Sequence, residues 1–302
     1  MSPSFAIHSS QRCLRRLQCG ELLAAAAESV PDSVTPNPVQ DRTHPTRQIG
    51  RVRMEVAQRS AALDRVIACL RSGTPQLVTF CNAHTVNLAA RDDDFVNALE
   101  SFLTFNDGIG VDLASRILYG QPFPCNLAGT DFVPALLDRA APGLRIFLLG
   151  SAAGVAEKAG YNLQKRFPGH AVVGTHDGFF SAAEAKGVVA KVRASSPDLV
   201  LVGMGQPRQE LWSLEHLGEV PAVTICVGAL LDFTAGRVRR APRWIRAVRL
   251  EWLYRLALEP RRLGRRYLVG NVVFLARVVR DRARGRRSAA GETTGNAFDP
   301  RE

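Results

Sequence analysis

Along most of the chain, short unbroken apolar runs alternate with longer segments in which apolar residues recur every three or four positions. Gln76–Cys81 (QLVTFC), Phe102–Phe105, Leu144–Leu149 (LRIFLL), Ala171–Gly174, Asp198–Val202 (DLVLV) and Val220–Val227 are runs of the first kind. Their length and content suit strands buried on both faces. Between them, Ala61, Leu63, Val66, Ile67 and Leu70 fall on one helical face that Gly73 closes. Thr85–Ala90, Val111–Tyr119, Ala152–Phe167 and Ala182–Ala194 read as further helices, and Gly129 opens another with Thr130 or Asp131 as its cap. Such alternation predicts an α/β fold: a Rossmann-like, doubly wound, mainly parallel sheet.

The strand ends carry the candidate chemistry, because open α/β sheets bind ligands outside the carboxyl ends of their strands. The stretch TFNDGIGVD (104–112) reads as strand, tight turn and helix start, with Asp107 at the strand's end and glycines that admit a ligand close to the backbone. Asp107 is a candidate base, or a helix cap or Asx-turn residue. Asn82-Ala83-His84 ends another strand, and Gly203-Met204-Gly205-Gln206-Pro207-Arg208-Gln209-Glu210 a third. That last segment lacks the third glycine of a dinucleotide fingerprint, and no phosphate-binding lysine motif occurs, so a nucleotide is expected without NAD. Arg208 and Glu210 also suit a helix-surface pair. Asp92-Asp93-Asp94 has the form of a D-x-D metal motif, but it follows no strand and precedes a helical pattern, where acids favour the N-terminus.

Charge changes the picture at the C-terminal end. Between Arg237 and Arg287 stand seventeen arginines, no lysine and three acids (Glu251, Glu259 and Asp281), a balance of +14 against +11 for the whole chain. Trp244, Val248, Trp252, Leu253 and Leu256 recur at helical spacing among Arg243, Arg246, Arg249 and Arg255, and a second such segment spans Leu263–Arg284. An amphipathic helix pair at an anionic membrane surface fits this pattern, as does a diphosphate held by forked guanidinium groups. A solvated basic face and a nucleic-acid surface also fit. No apolar run reaches the roughly 18 residues of a membrane span. The six scattered cysteines form no C-x-x-C pair, so neither a zinc ribbon nor a disulfide framework is indicated, and a reducing compartment is expected. The organisation expected is a flexible leader (1–48), a Rossmann-like catalytic domain (49–236), an Arg-rich helical appendage (237–287) and a disordered tail (288–302).

Seven segments in order resemble one family, the WecG/TagA/CpsF glycosyltransferases of bacterial polysaccharide and teichoic-acid synthesis. They are TFCNAHTVNLA (79–89), NDGIGVDLASRILYG (106–120), LAGTDFVP (127–134), GTHDGFF (174–180), VGMGQPRQE (202–210), VGALLDFTAGRVRRAP (227–242) and LEWLYRLALEPRR (250–262). The first two look most like the exopolysaccharide branch, which includes a glucosyltransferase of xanthan assembly. The resemblance implies inverting transfer from a UDP-sugar to an undecaprenyl-diphosphate-linked saccharide, peripherally at the cytoplasmic face of the plasma membrane. It implies no cofactor and no obligatory metal, and no nucleic-acid partner, and it leaves a homo-oligomer open. Glucose is the donor sugar that the branch suggests, with N-acetylmannosamine or mannosaminuronate as the alternative.

By the same resemblance Asp107 is the base that deprotonates the acceptor hydroxyl, flanked by Asn106 and Gly108, with Thr79 and Asn82 orienting substrate beside it. Thr130 and Asp131 belong to the substrate site. Gln206, Arg208 and Gln209 line the UDP site, the backbone of Gly203 and Gly205 lies near the diphosphate, and Gly228 and Asp232 close it. Arg239, Arg240, Arg243 and Arg246 meet the lipid-linked diphosphate or the departing UDP. Many relatives read Asn-Pro-Glu where this chain has Asn82-Ala83-His84, so His84 is either a substrate-binding or a packed residue.

Overall fold

A computed structural model describes residues 44–242, 244–245 and 250–285. The expected tail, most of the expected leader, and Arg243 and Arg246 lie outside the described residues. Six strands form the main sheet: β3 (Gln76–Cys81), β4 (Phe102–Asn106), β5 (Arg145–Gly150), β6 (Ala171–His176), β7 (Leu199–Gly203) and β8 (Val223–Cys226). Their order is β4-β3-β8-β7-β5-β6, and every neighbouring pair is parallel. All six carboxyl ends therefore open on one edge. The apolar runs behave as expected, since alternate residues feed opposite cores. Leu199 and Leu201 pack into one, and Val200 and Val202 into the other.

The first core lies under α1 (Arg59–Ser72), α5 (Gly129–Arg139), α6 (Val155–Arg166) and α9 (Leu230–Thr234), and the second under α7 (Ala182–Ala194) and α8 (Arg208–Leu217). Helices on both faces make the sheet doubly wound. Val220–Ala222, expected to continue the last strand, instead turns, with the Ala222 amide donating to the Val220 carbonyl (2.6 Å).

A third cluster of buried residues joins elements far apart in sequence. The antiparallel hairpin of β1 (Thr46–Ile49) and β2 (Val52–Glu55) buries Ile49, Val52 and Met54 against α2 (Ala83–Ala89), α3 (Asp93–Leu99) and α4 (Ile109–Tyr119). Its first strand starts three residues before the boundary at residue 49 expected from the sequence. In α3 the Asp92 carboxylate accepts from the Phe95 amide (2.9 Å) and Asp93 pairs with Arg51, so the acidic triplet serves the helix start.

The C-terminal arginine-rich region is more closely integrated than an amphipathic helix pair. It folds into α10 (Glu251–Leu258), α11 (Pro260–Gly264), a π-helical turn (Arg265–Val269) and α12 (Gly270–Ala283). Pro260 ends the first helix by removing a backbone donor. One face of α12 buries Phe274 and Val278 in the hairpin cluster, and Asn87 donates to the Gly270 carbonyl (2.7 Å). Leu268, Val269, Val272 and Val279 remain exposed. Among the described residues, no helix is long and apolar enough to cross a membrane.

Candidate active site

The ends of β3, β4, β5, β7 and β8 face the C-terminal helices across a cavity of about 530 Å³. Asn82, Asp107, Thr130, Asp232 and Gln206 line it, together with Gly203, Gly205, Arg208, Gln209 and Gly228. Ten of the residues expected at the site are thereby brought together from five separate segments.

Asp107 does not cap the helix that follows it. Gly108 occupies the N-cap position of α4 at φ 93°, without a side-chain cap, and its amide donates to Asn126 Oδ1 (2.8 Å). Released from that task, the half-buried carboxyl group faces the cavity and accepts a hydrogen bond from the Asn82 side chain. Burial raises its pKa to about 6, and Glu251 adds to the rise. Asn82, Arg266 and Arg255 oppose it by favouring the ionised form. A carboxylate titrating just below neutrality is ionised at pH 7 yet basic enough to take a proton.

Asn82 is held from its other side. Its Oδ1 caps α2 by accepting from the His84 amide (2.9 Å) and the Thr85 amide (3.3 Å), and Thr85 Oγ1 accepts from the Asn82 amide (3.1 Å). This capping box leaves the Asn82 NH₂ group for Asp107. His84 does not line the cavity. Burial and the nearby Arg266 lower its pKa to about 4, which keeps the imidazole neutral.

Several expected contacts are redirected by the packing. Thr79 is fully buried and donates to Glu210 Oε1 (2.8 Å), so it touches no ligand in the cavity. Asn106, also fully buried, donates to the Cys125 carbonyl (2.8 Å) and secures the loop beneath Asp107. Thr130 and Asp131 do not cap α5, which starts at Gly129 with no side-chain cap. They bind Arg240 instead, through Thr130 Oγ1 (2.9 Å) and Asp131 Oδ1 (2.8 Å), and Arg240 also lies 3.5 Å from Glu251. Arg240 therefore ties α5 to the C-terminal helices and does not line the cavity, and Arg239 is exposed away from it.

The amides of Gly205 and Gly228 are both taken by Gln209 Oε1, at 3.1 and 3.2 Å, so neither is free for a phosphate. Glu210 is not a surface partner of Arg208: it is fully buried, while Arg208 donates to the Phe180 carbonyl (3.3 Å) and lies over the Phe180 ring. Asp232 accepts from Ser151 Oγ (3.3 Å) and pairs with Arg237 (3.3 Å).

The cavity also gathers residues that the sequence did not single out for it. Arg237, Arg255 and Arg266 line it beside Asp232, Phe233 and Asp107, and Phe179, 75% exposed, forms part of its rim. Helical spacing among arginines carries no signal that separates a cleft-facing guanidinium from a solvated one. For Ser151, the strand-end pair Gly150-Ser151 was the available signal.

Residues 47–288 match the model of the family described as Glycosyl transferase WecG/TagA/CpsF family. A Bacillus spizizenii protein named N-acetylglucosaminyldiphosphoundecaprenol N-acetyl-beta-D-mannosaminyltransferase is 35% identical over 161 residues, which cover 53% of this chain and 62% of that protein. A Staphylococcus aureus protein of the same name is 32% identical over 196 residues, covering 64% of this chain and 73% of its own length. The chain thus spans less than two thirds of the Bacillus relative and nearly three quarters of the Staphylococcus one. Since the family match takes in every strand of the parallel sheet, the cavity at its edge and the helices that cover it, this chain belongs to the WecG/TagA/CpsF glycosyltransferase family.

Proposed function

We propose that the protein transfers N-acetylmannosamine, with inversion, from its UDP-sugar to an undecaprenyl-diphosphate-linked saccharide in surface polysaccharide synthesis. The observation that carries the proposal is Asp107, a half-buried carboxylate at a strand end with a pKa of about 6, facing a cavity that arginines line. In the reaction Asp107 takes the proton of the acceptor hydroxyl as that oxygen bonds to the anomeric carbon. The bond from that carbon to the diphosphate breaks, and UDP leaves with the electron pair from the opposite face, which inverts the centre. Arg255 and Arg266 meet the negative charge that develops on the departing diphosphate, so that the step needs no obligatory metal.

The donor is the point at which the relatives alter the expectation. Both bear the name of an N-acetylmannosaminyl transferase acting on an N-acetylglucosaminyl-diphosphoundecaprenol. Those names favour N-acetylmannosamine over the glucose suggested by the branch resemblance, and nothing in the comparisons favours glucose. Association with an anionic membrane at its cytoplasmic face is supported by exposed Trp244, Leu253, Leu268 and Val272 standing among arginines.

The test is UDP release from a panel of UDP-sugars with an undecaprenyl-diphosphate N-acetylglucosamine acceptor, for the wild type and Asp107→Asn. Acceptor-dependent turnover of UDP-N-acetylmannosamine, lost in the variant while UDP still binds, is the expected result. Turnover of UDP-glucose alone would restore the hexose reading. Absence of both turnover and UDP binding would overturn the proposal.

A further inference from the structure

Glu210 stands behind the cavity wall in the first turn of α8, fully buried. Three donors from two segments converge on one of its oxygens. Thr79 Oγ1 reaches Oε1 at 2.8 Å, Gln209 Nε2 at 2.8 Å and Gln206 Nε2 at 3.3 Å, while Oε2 has no partner. Burial raises the carboxyl pKa above the usual carboxylate range. If a proton is held, the unpartnered Oε2 is its place. In either protonation state Oε1 presents only lone pairs, so each glutamine must turn its NH₂ group towards it.

That constraint sets where the two amide oxygens point. Gln206 Oε1 accepts from Thr85 Oγ1 (2.8 Å), and Thr85 is the capping-box partner of Asn82, the residue that donates to Asp107. Gln209 Oε1 accepts from the amides of Gly205 (3.1 Å) and Gly228 (3.2 Å), joining the turn after β7 to the turn after β8. Reversal of either amide would set its oxygen against Glu210 Oε1, and that of Gln206 also against the Phe80 carbonyl to which its NH₂ group donates (3.1 Å), which costs the penalty of unmet buried polar groups.

We propose that Glu210 is a positioning residue: its Oε1 orients Gln206 and Gln209, so that one braces the Thr85–Asn82 side of Asp107 and the other clamps the two glycine turns that wall the cavity. The carboxyl group touches no substrate. Its effect on nucleotide affinity rests on the UDP-sugar reading of the cavity, whereas its effect on the two turns does not.

Amide hydrogen exchange and UDP titration of the full chain separate these two levels, for wild type, Glu210→Gln and Glu210→Met. Glu210→Gln retains an acceptor oxygen and Glu210→Met has none. In Glu210→Met the Gly205 and Gly228 amides exchange about a hundredfold faster than in wild type, and the Kd for UDP rises about tenfold. Glu210→Gln stays close to wild type in both. Slow exchange at both glycines in folded Glu210→Met overturns the proposal. Should that variant not fold, the wild-type side-chain amides of Gln206 and Gln209 decide it, since rapid exchange of both NH₂ groups is incompatible with the arrangement. Loss of exchange protection in Glu210→Met, in a protein whose wild type binds no UDP, supports the positioning role and sinks the nucleotide reading alone.

Discussion

Asn82 donates to the carboxyl group of Asp107 while its own oxygen caps helix α2, so one side chain couples that carboxyl group to the start of the helix. The hydrogen bond favours the ionised carboxylate. Asn82→Ala is expected to raise the Asp107 pKa above its present value of about 6, moving the acid limb of the kcat/KM profile up by as much as about one pH unit. The lost cap costs about 1 kcal/mol. A pH–rate profile with a parallel thermal melt checks both effects. An unmoved limb in a variant of lowered Tm would leave Asn82 as a cap only.

Asp107→Asn should separate activity from stability. With Asp107 as the proposed base, its replacement is expected to lower kcat by about 10²- to 10⁴-fold. The folded-state pKa is raised from 3.8 to about 6. Protonated Asp107 is therefore the better-accommodated form, and its contribution is complete below pH 3.8 and lost as the pH rises through about 6. Asparagine imitates the neutral acid at every pH. At pH 7.5 the variant should be the more stable protein by about 2–3 kcal/mol, and the difference should vanish near pH 4. Denaturant titrations at both values test the sign.

Glu251 acts on the same carboxyl group from the C-terminal helices. Asp107 is faced by Asn82 from β3's end, by Glu251 and Arg255 from α10, and by Arg266 from the π-helical turn. Of these only Glu251 repels the ionised form by charge. Glu251→Gln is expected to shift the acid limb of kcat/KM downward, opposite in direction to Asn82→Ala. Its half-buried pair with Arg240 is long, at 3.5 Å, so stability should change by less than about 1 kcal/mol. An upward shift would contradict the geometry.

The sheet was legible in the sequence because strands covered on both faces are written as mainly apolar runs, as five of the six are; β6, at the sheet's edge, is only half-buried and shows in the sequence as the short run Ala171–Gly174. Asp107 was legible for a related reason: Asn106-Asp107-Gly108 interrupts such a run at the edge where these folds bind ligands. The hairpin at residues 46–55 escaped notice because its strands are four residues each, too short for alternation to stand out. Glu210 was illegible for a physical reason. An acid in a helix's first turn is ordinarily solvated, and only the meeting of β3, β7 and α8, 131 residues apart at Thr79 and Glu210, buries it. Arg255 and Arg266 show the same limit. Their spacing marks a helical face, but whether that face meets lipid, water or the cavity depends on how α12 docks against α2 and α4.

Gly150, at the end of β5, offers a test of the cavity floor itself. Its φ of 139° lies where L side chains are strained, and a Cβ there would strike the backbone carbonyl of Gly203 on the neighbouring strand. That carbonyl also accepts from the Ser151 amide (2.9 Å), so it cannot move aside without breaking the turn that presents Ser151 to Asp232. Gly150→Ala is therefore expected to cost about 3 kcal/mol or more, since strain and overpacking add. Gly205 serves as the control. Its φ of 81° is also left-handed, but a Cβ there meets nothing within 4 Å, so Gly205→Ala should cost only the backbone strain, about 1–2 kcal/mol. Equal destabilisation of the two variants in denaturant titrations would mean that strain alone, not the approach of β5 to β7, requires glycine at Gly150.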